Sequence, residues 1–195
     1  MIEKMVFDVV NLMESKKIIE KASRDYYEYA LVSITERIIA VGTMLAIGML
    51  FKQFTPTIIF LVFFLSLRKR TGGYHADKFW QCYLVTIVTY IGVIKTAILF
   101  SEKIPIVIYA LLIPAVLIIE VIGTVNHPNI DLNERELRET KRAARLLVLL
   151  ETAIIVILAI LGINQLYVSY MSIAIILCSS LMCLAKIIKQ EVKVK

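Results

Sequence analysis

The sequence predicts an all-α integral membrane protein with about six membrane segments, the first two short, behind an N-terminal amphipathic surface helix. Three observations predict it. Apolar residues make up 59% of the 195, against about 45–50% in a soluble domain, and the mean hydropathy is +0.79. They stand in long blocks instead of alternating, which is the pattern of membrane-crossing helices. The basic residues gather in alternate loops.

Within residues 1–24, Ile2, Met5, Val6, Val9, Leu12 and Met13 recur at helical spacing, while Glu3, Lys4, Asp8 and Lys16 fall on other faces. Such a helix lies on the membrane surface or packs against the bundle. Acids throughout this stretch and the lack of an apolar run predict no cleavable leader. The membrane bundle is expected over 38–188, with segments at 38–51, 54–67, 79–100, 104–125, 146–163 and 166–188. The first two, at about 14 residues each, fit a re-entrant pair as well as two spans. The first could also begin near Ala30 and carry Glu36 and Arg37 at its inner end.

The polar stretch 126–145 reads NHPNIDLNERELRETKRAAR. Pro128 breaks any helix arriving from segment four. Asp131 or Asn133 offers an N-cap, Glu134 and Glu136 suit a first turn, and Glu134 faces Arg138. A short charged helix feeding segment five is expected there. The chain reads as one domain, 1–195.

Charge placement supports six crossings. With the N-terminus in the cytoplasm, 19 of the 22 basic residues fall inside; Lys52 and Lys103 stay outside and Lys95 lies within a segment. This is the positive-inside pattern, and it puts both termini and the 126–145 loop in the cytoplasm. The net charge of +6 thus reports membrane topology and does not point to nucleic acid. Of three cysteines, Cys178 and Cys183 sit in an apolar helix and read as small packing residues; an odd number argues against a disulfide framework.

Residues 68–82, RKRTGGYHADKFWQC, hold the densest set of functional side chains. Arg68, Lys69 and Arg70 form a cationic edge, and Gly72-Gly73 permits a bend closed to other residues. His75 follows, and Cys82 comes seven residues later near the start of segment three. A thiol is a strong nucleophile as thiolate, which a nearby imidazole and surrounding cations favour. In one unbroken helix the two would stand about 10 Å apart along the axis. A catalytic His75 must therefore fold back from the Gly72-Gly73 bend. Gln81 and the Cys82 N–H are candidate oxyanion donors, and Asp77 is the nearest acid. One Cys with His75 and His127 lacks a fourth ligand and tight spacing, so no metal and no cofactor is expected.

The pattern Arg68…Gly72-Gly73-x-His75-Ala76-x6-Cys82 resembles the signature of the accessory gene regulator B (AgrB) proteins, membrane cysteine endopeptidases of Gram-positive bacteria. The resemblance extends to the amphipathic N-terminus, the six apolar segments and the Asn126/Pro128/Asn129 loop. It implies removal of the C-terminal tail of an AgrD-like propeptide and help in cyclising the remainder into a quorum-sensing peptide. By the motif match Cys82 is the nucleophile and His75 the general base; Arg68 and Gly73 match family positions that support activity. The family loop is often Lys-rich, whereas Arg and Glu dominate here after Asp131. The resemblance also implies a homodimer, for which Gly42 and Gly48 supply no GxxxG face. An anionic tail would be drawn to the Arg68–Arg70 and Arg135–Arg145 clusters. The competing reading is a small transporter or export helper with Lys95, Glu120 and Glu151 along a pathway.

Overall fold

A computed structural model describes residues 2–20, 23–73, 79–126 and 132–189. Among these residues the chain is all helical: α1 (Ile2–Ser15), α2 (Arg24–Leu50), α3 (Phe54–Thr71), α4 (Phe79–Glu102), α5 (Pro105–Ile122), α6 (Glu134–Ile160) and α7 (Gln165–Ile187). Five of them, α2 and α4 to α7, are long and apolar enough to cross a membrane.

The expected short first pair is corrected. α2 has 27 residues and α3 has 18. Apolarity alone marked only the outer part of α2, because Asp25, Glu28, Glu36 and Arg37 interrupt its first half without stopping the helix. α3 carries Arg68, Lys69 and Arg70 in its last turn, where cations complement the helix dipole. Those three charges keep it out of the set of apolar spans.

The chain divides into two compact units, Met1–Ala46 and Ile47–Lys195. In the first, the helix expected over 1–24 stops at Ser15 and turns at Lys17, which has φ 57°. Val6 and Val10 on α1 are buried with Ile19, and Met13, Leu31 and Val32 pack against them. Arg24 staples the turn: Nη1 donates to Glu14 Oε2 at 2.7 Å and Nη2 to Asn11 Oδ1 at 2.6 Å. Met5, Val9 and Leu12, one turn apart on another face, stay exposed. So α1 has two apolar faces, one packed on α2 and one open.

In the second unit α7 is enclosed by α3, α4, α5 and α6. Small residues allow this. Ser169, Ser172, Ala174, Cys178, Ser179 and Ala185 are all buried, and in lipid such residues let helix backbones approach closely. Cys178 Sγ meets the Phe64 carbonyl at 3.7 Å. Leu67, Leu112, Ile119, Val148, Ile155, Ile175 and Met182 fill the spaces between. The outward residues Val88, Ile113, Leu117, Val121 and Ile157 are apolar and exposed, as expected of helices whose solvent is lipid. α3 meets α4 where Thr57 Oγ1 and Tyr90 OH lie 2.5 Å apart.

The separate charged helix expected before segment five is one with it. Asn133 caps α6 in a reciprocal box: its side chain accepts from Glu136 N at 2.9 Å, and Glu136 Oε2 accepts from Asn133 N at 3.0 Å. With the start fixed, nothing in 134–146 breaks the helix before the apolar run. Asp131, the other candidate cap, lies outside the described residues.

Candidate functional site at the end of helix α3

The α3 C-terminus is closed by two glycines that nothing else could replace. Gly72 has φ 65° and returns its N–H to Arg68 O at 3.1 Å; Gly73 has φ 120°. These angles belong to the region that residues with a Cβ avoid. Space adds a second reason. A Cβ on Gly72 would lie 2.6 Å from the Val125 carbonyl oxygen. A Cβ on Gly73 would overlap the Arg68 guanidinium and sit 3.2 Å from the Leu181 carbonyl. The bend expected at Gly72-Gly73 is present, and α4 begins only at Phe79. Tyr74, His75, Ala76, Asp77 and Lys78 lie outside the described residues.

Arg68 is half-buried while Lys69 and Arg70 are exposed. Its Nη1 donates to the Gly72 carbonyl, so the guanidinium is folded back over its own helix end. Cys82 stands in the first turn of α4, partly exposed and free. Cys178 is fully enclosed and Cys183 partly so, both free thiols. Gln81 is exposed beside the half-buried Cys82. The structure thus brings together Arg68, Gly72 and Gly73 among the expected site residues, and turns Arg70 and Gln81 outward.

A strap that the sequence did not reveal completes the bend. Thr124 Oγ1 donates to Arg70 O at 2.9 Å, and Val125 N donates to Thr71 O at 2.9 Å. The last carbonyls of a helix have no partner within it, and here the exit of α5 supplies them. The signal for this was the Asn/Pro composition of the loop; the pairing itself joins residues 54 apart in sequence.

Polar groups deeper in the bundle do not converge on one path. Glu151 is 4% exposed, with Oε1 accepting from Ser66 Oγ at 2.7 Å and Oε2 buried without a partner. Glu120 also buries an unpartnered oxygen, whereas Lys95 is exposed on α4. At the start of α6, Arg135 pairs with Glu139 and Arg138 with Glu134. The cationic cluster expected over 135–145 narrows to Lys141, Arg142 and Arg145. Among the described residues no group of His, Cys, Asp and Glu could hold a metal ion.

A family model described as Accessory gene regulator B matches residues 8–185. No curated protein and no solved structure matches the chain.

Proposed function

The chain belongs to the accessory gene regulator B family, and from that premise we propose that it is a cysteine endopeptidase with Cys82 as nucleophile and His75 as general base. Membership gives the coarser part: a multi-pass membrane protein of the agr quorum-sensing system, with an AgrD-like propeptide as the implied substrate. What supports the finer part is the family match together with Arg68, held on the Gly72 carbonyl, and Cys82, a partly exposed free thiol near the start of α4. A fixed cation and the first turn of a helix both favour negative charge on a sulfur placed there.

In the proposed reaction His75 takes the thiol proton, and Cys82 Sγ bonds to the carbonyl carbon at the scissile peptide bond. The C–N bond breaks, His75 returns the proton to the leaving amine, and the tail departs. A thioester joins Cys82 to the remaining peptide. A thiol or hydroxyl of that peptide then attacks the thioester, closing a thiolactone or lactone and restoring the Cys82 thiol. Thioester-to-thioester exchange is nearly balanced in energy, so the activation gained in the first step survives into the ring. Water must be excluded while the intermediate waits, and a site at the mouth of a lipid-embedded bundle does this.

In this scheme Arg68 supports the thiolate, and Gly72 and Gly73 supply the bend that a catalytic His75 requires. The exposed Arg70 offers charge to an acidic tail, and Gln81 is retained as a substrate contact at the rim. With α3 counted as a sixth crossing beside the five apolar spans, the positive-inside distribution favours this site and both termini in the cytoplasm of a bacterial cell, and the protein acts as a homodimer in contact with membrane lipid. No metal or other cofactor enters the scheme. Cys82→Ala and His75→Ala should each abolish tail removal while the protein still inserts. A Cys82→Ala protein that cleaves at the normal rate sinks the reading.

A further inference from the structure

We propose that Asn126 is a positioning residue for Arg68, acting through the strap that crosses the end of α3. The inference rests on the peptidase reading above. Asn126 is 1% exposed, and its amide is spent entirely on the backbone of one residue. Leu132 N donates to Asn126 Oδ1 at 3.0 Å, and Asn126 Nδ2 donates to Leu132 O at 3.2 Å. This two-bond clasp closes the α5–α6 connection and fixes residue 126 relative to the capped start of α6.

The position of residue 126 governs its two predecessors. Val125 N holds Thr71 O, and Thr124 Oγ1 holds Arg70 O. The Val125 carbonyl lies against Gly72, close enough that a single Cβ would not fit between them. Gly72 O in turn receives the Arg68 guanidinium. The path from the clasp to the cation is therefore a run of direct contacts: Leu132, Asn126, Val125, Gly72, Arg68. Its other end is also anchored, since Gly123 rests against the Lys141 side chain on α6. Replacing Asn126 with Ala leaves the Leu132 N–H and carbonyl without these partners, which is costly where water is scarce. The strap is then free to leave α3, and Arg68 loses the fixed carbonyl that aims it.

The test uses the full chain in lipid, with Cys178→Ala and Cys183→Ala so that Cys82 is the only thiol. The rate of Cys82 alkylation by iodoacetamide at fixed pH is measured beside kcat and KM for propeptide cleavage. Arg68→Gln should slow alkylation about tenfold, and Asn126→Ala about three- to tenfold. The double variant should be no slower than Arg68→Gln alone, because both changes remove one interaction. For Asn126→Ala, kcat should fall while KM stays within about twofold. Asn126→Asp keeps the acceptor for Leu132 N–H and should restore part of the rate. Should Asn126→Ala fail to insert, Thr124→Val, which removes only the bond to Arg70 O, enters the same cycle with a smaller expected loss. Wild-type alkylation in the strap variants, or a loss that multiplies with that of Arg68→Gln, overturns the inference. An Arg68→Gln protein alkylated at the wild-type rate overturns the role of Arg68 itself.

Discussion

The guanidinium of Arg68 and the carbonyl of Gly72 close a hydrogen-bonded ring at the end of α3, and Gly73 fits against that guanidinium only because it has no side chain. Gly73→Ala should therefore displace Arg68 as well as strain the backbone at φ 120°. Tail cleavage should fall at least about tenfold, the effect of a disturbance of about 1.4 kcal/mol at a site. Gly92→Ala, in an α4 position with open space around it, should leave cleavage intact and stabilise the helix by up to about 1 kcal/mol. Cleavage of a tagged propeptide and thermal melting in detergent read both.

Arg68→Lys is expected to behave much more like Arg68→Gln than like the wild type. A lysine keeps the charge but not the planar fork that reaches the Gly72 carbonyl. Steady-state cleavage, with kcat and KM separated, should show the loss in kcat. A Lys variant with unchanged kcat would mean that charge alone suffices.

Among the described residues Ser66 is the hydrogen-bond partner of the buried Glu151 carboxyl. Ser66→Ala should destabilise the bundle by about 1–3 kcal/mol, the cost of leaving a buried polar group unpaired. Glu151→Gln keeps an acceptor for the Ser66 hydroxyl and should be tolerated far better. Melting of the two variants in detergent checks the order; a more stable Ser66→Ala protein would refute it.

Cys178 sits between α7 and the Phe64 carbonyl with no room to spare. Cys178→Ala and Cys183→Ala should cleave within about twofold of wild type, since neither thiol does chemistry in the proposed scheme. Cys178→Leu should lower the melting temperature, by about 1–3 kcal/mol of overpacking.

Removing the α6 cap with Asn133→Ala should cost about 1 kcal/mol, because the Asn133 Oδ1 that accepts from Glu136 N is lost while the backbone N–H of residue 133 can still donate to Glu136. Reversing the exposed Arg135–Glu139 pair should change stability by well under that amount. Comparing the two by thermal melting separates capping from surface charge.

The membrane bundle was legible because lipid demands unbroken apolar runs, and the runs at 79–100, 104–125 and 166–188 match α4, α5 and α7 closely. The bend was legible because only glycine satisfies Gly72 and Gly73. The length of α2 was not, since Glu36 and Arg37 lower its hydropathy without lowering its helicity. The union of the charged stretch with α6 depended on Asn133, one of two caps the sequence offered. The strap was invisible because its bonds join α3 to a loop more than fifty residues away. Arg68 was singled out for its charge; that its guanidinium bonds the Gly72 carbonyl is a tertiary fact.

The enclosure of α7 bears on when the protein matures. Gly73 rests on the Leu181 carbonyl, so the floor of the bend before Cys82 comes from α7, which is synthesised after α3 and α4. Until α7 inserts, the nascent chain holds Cys82 beside an incomplete bend, a thiol without the setting that would make it reactive. In the proposed scheme synthesis of α7 is then the arming step, and a chain truncated before Gln165 should insert without cleaving the propeptide.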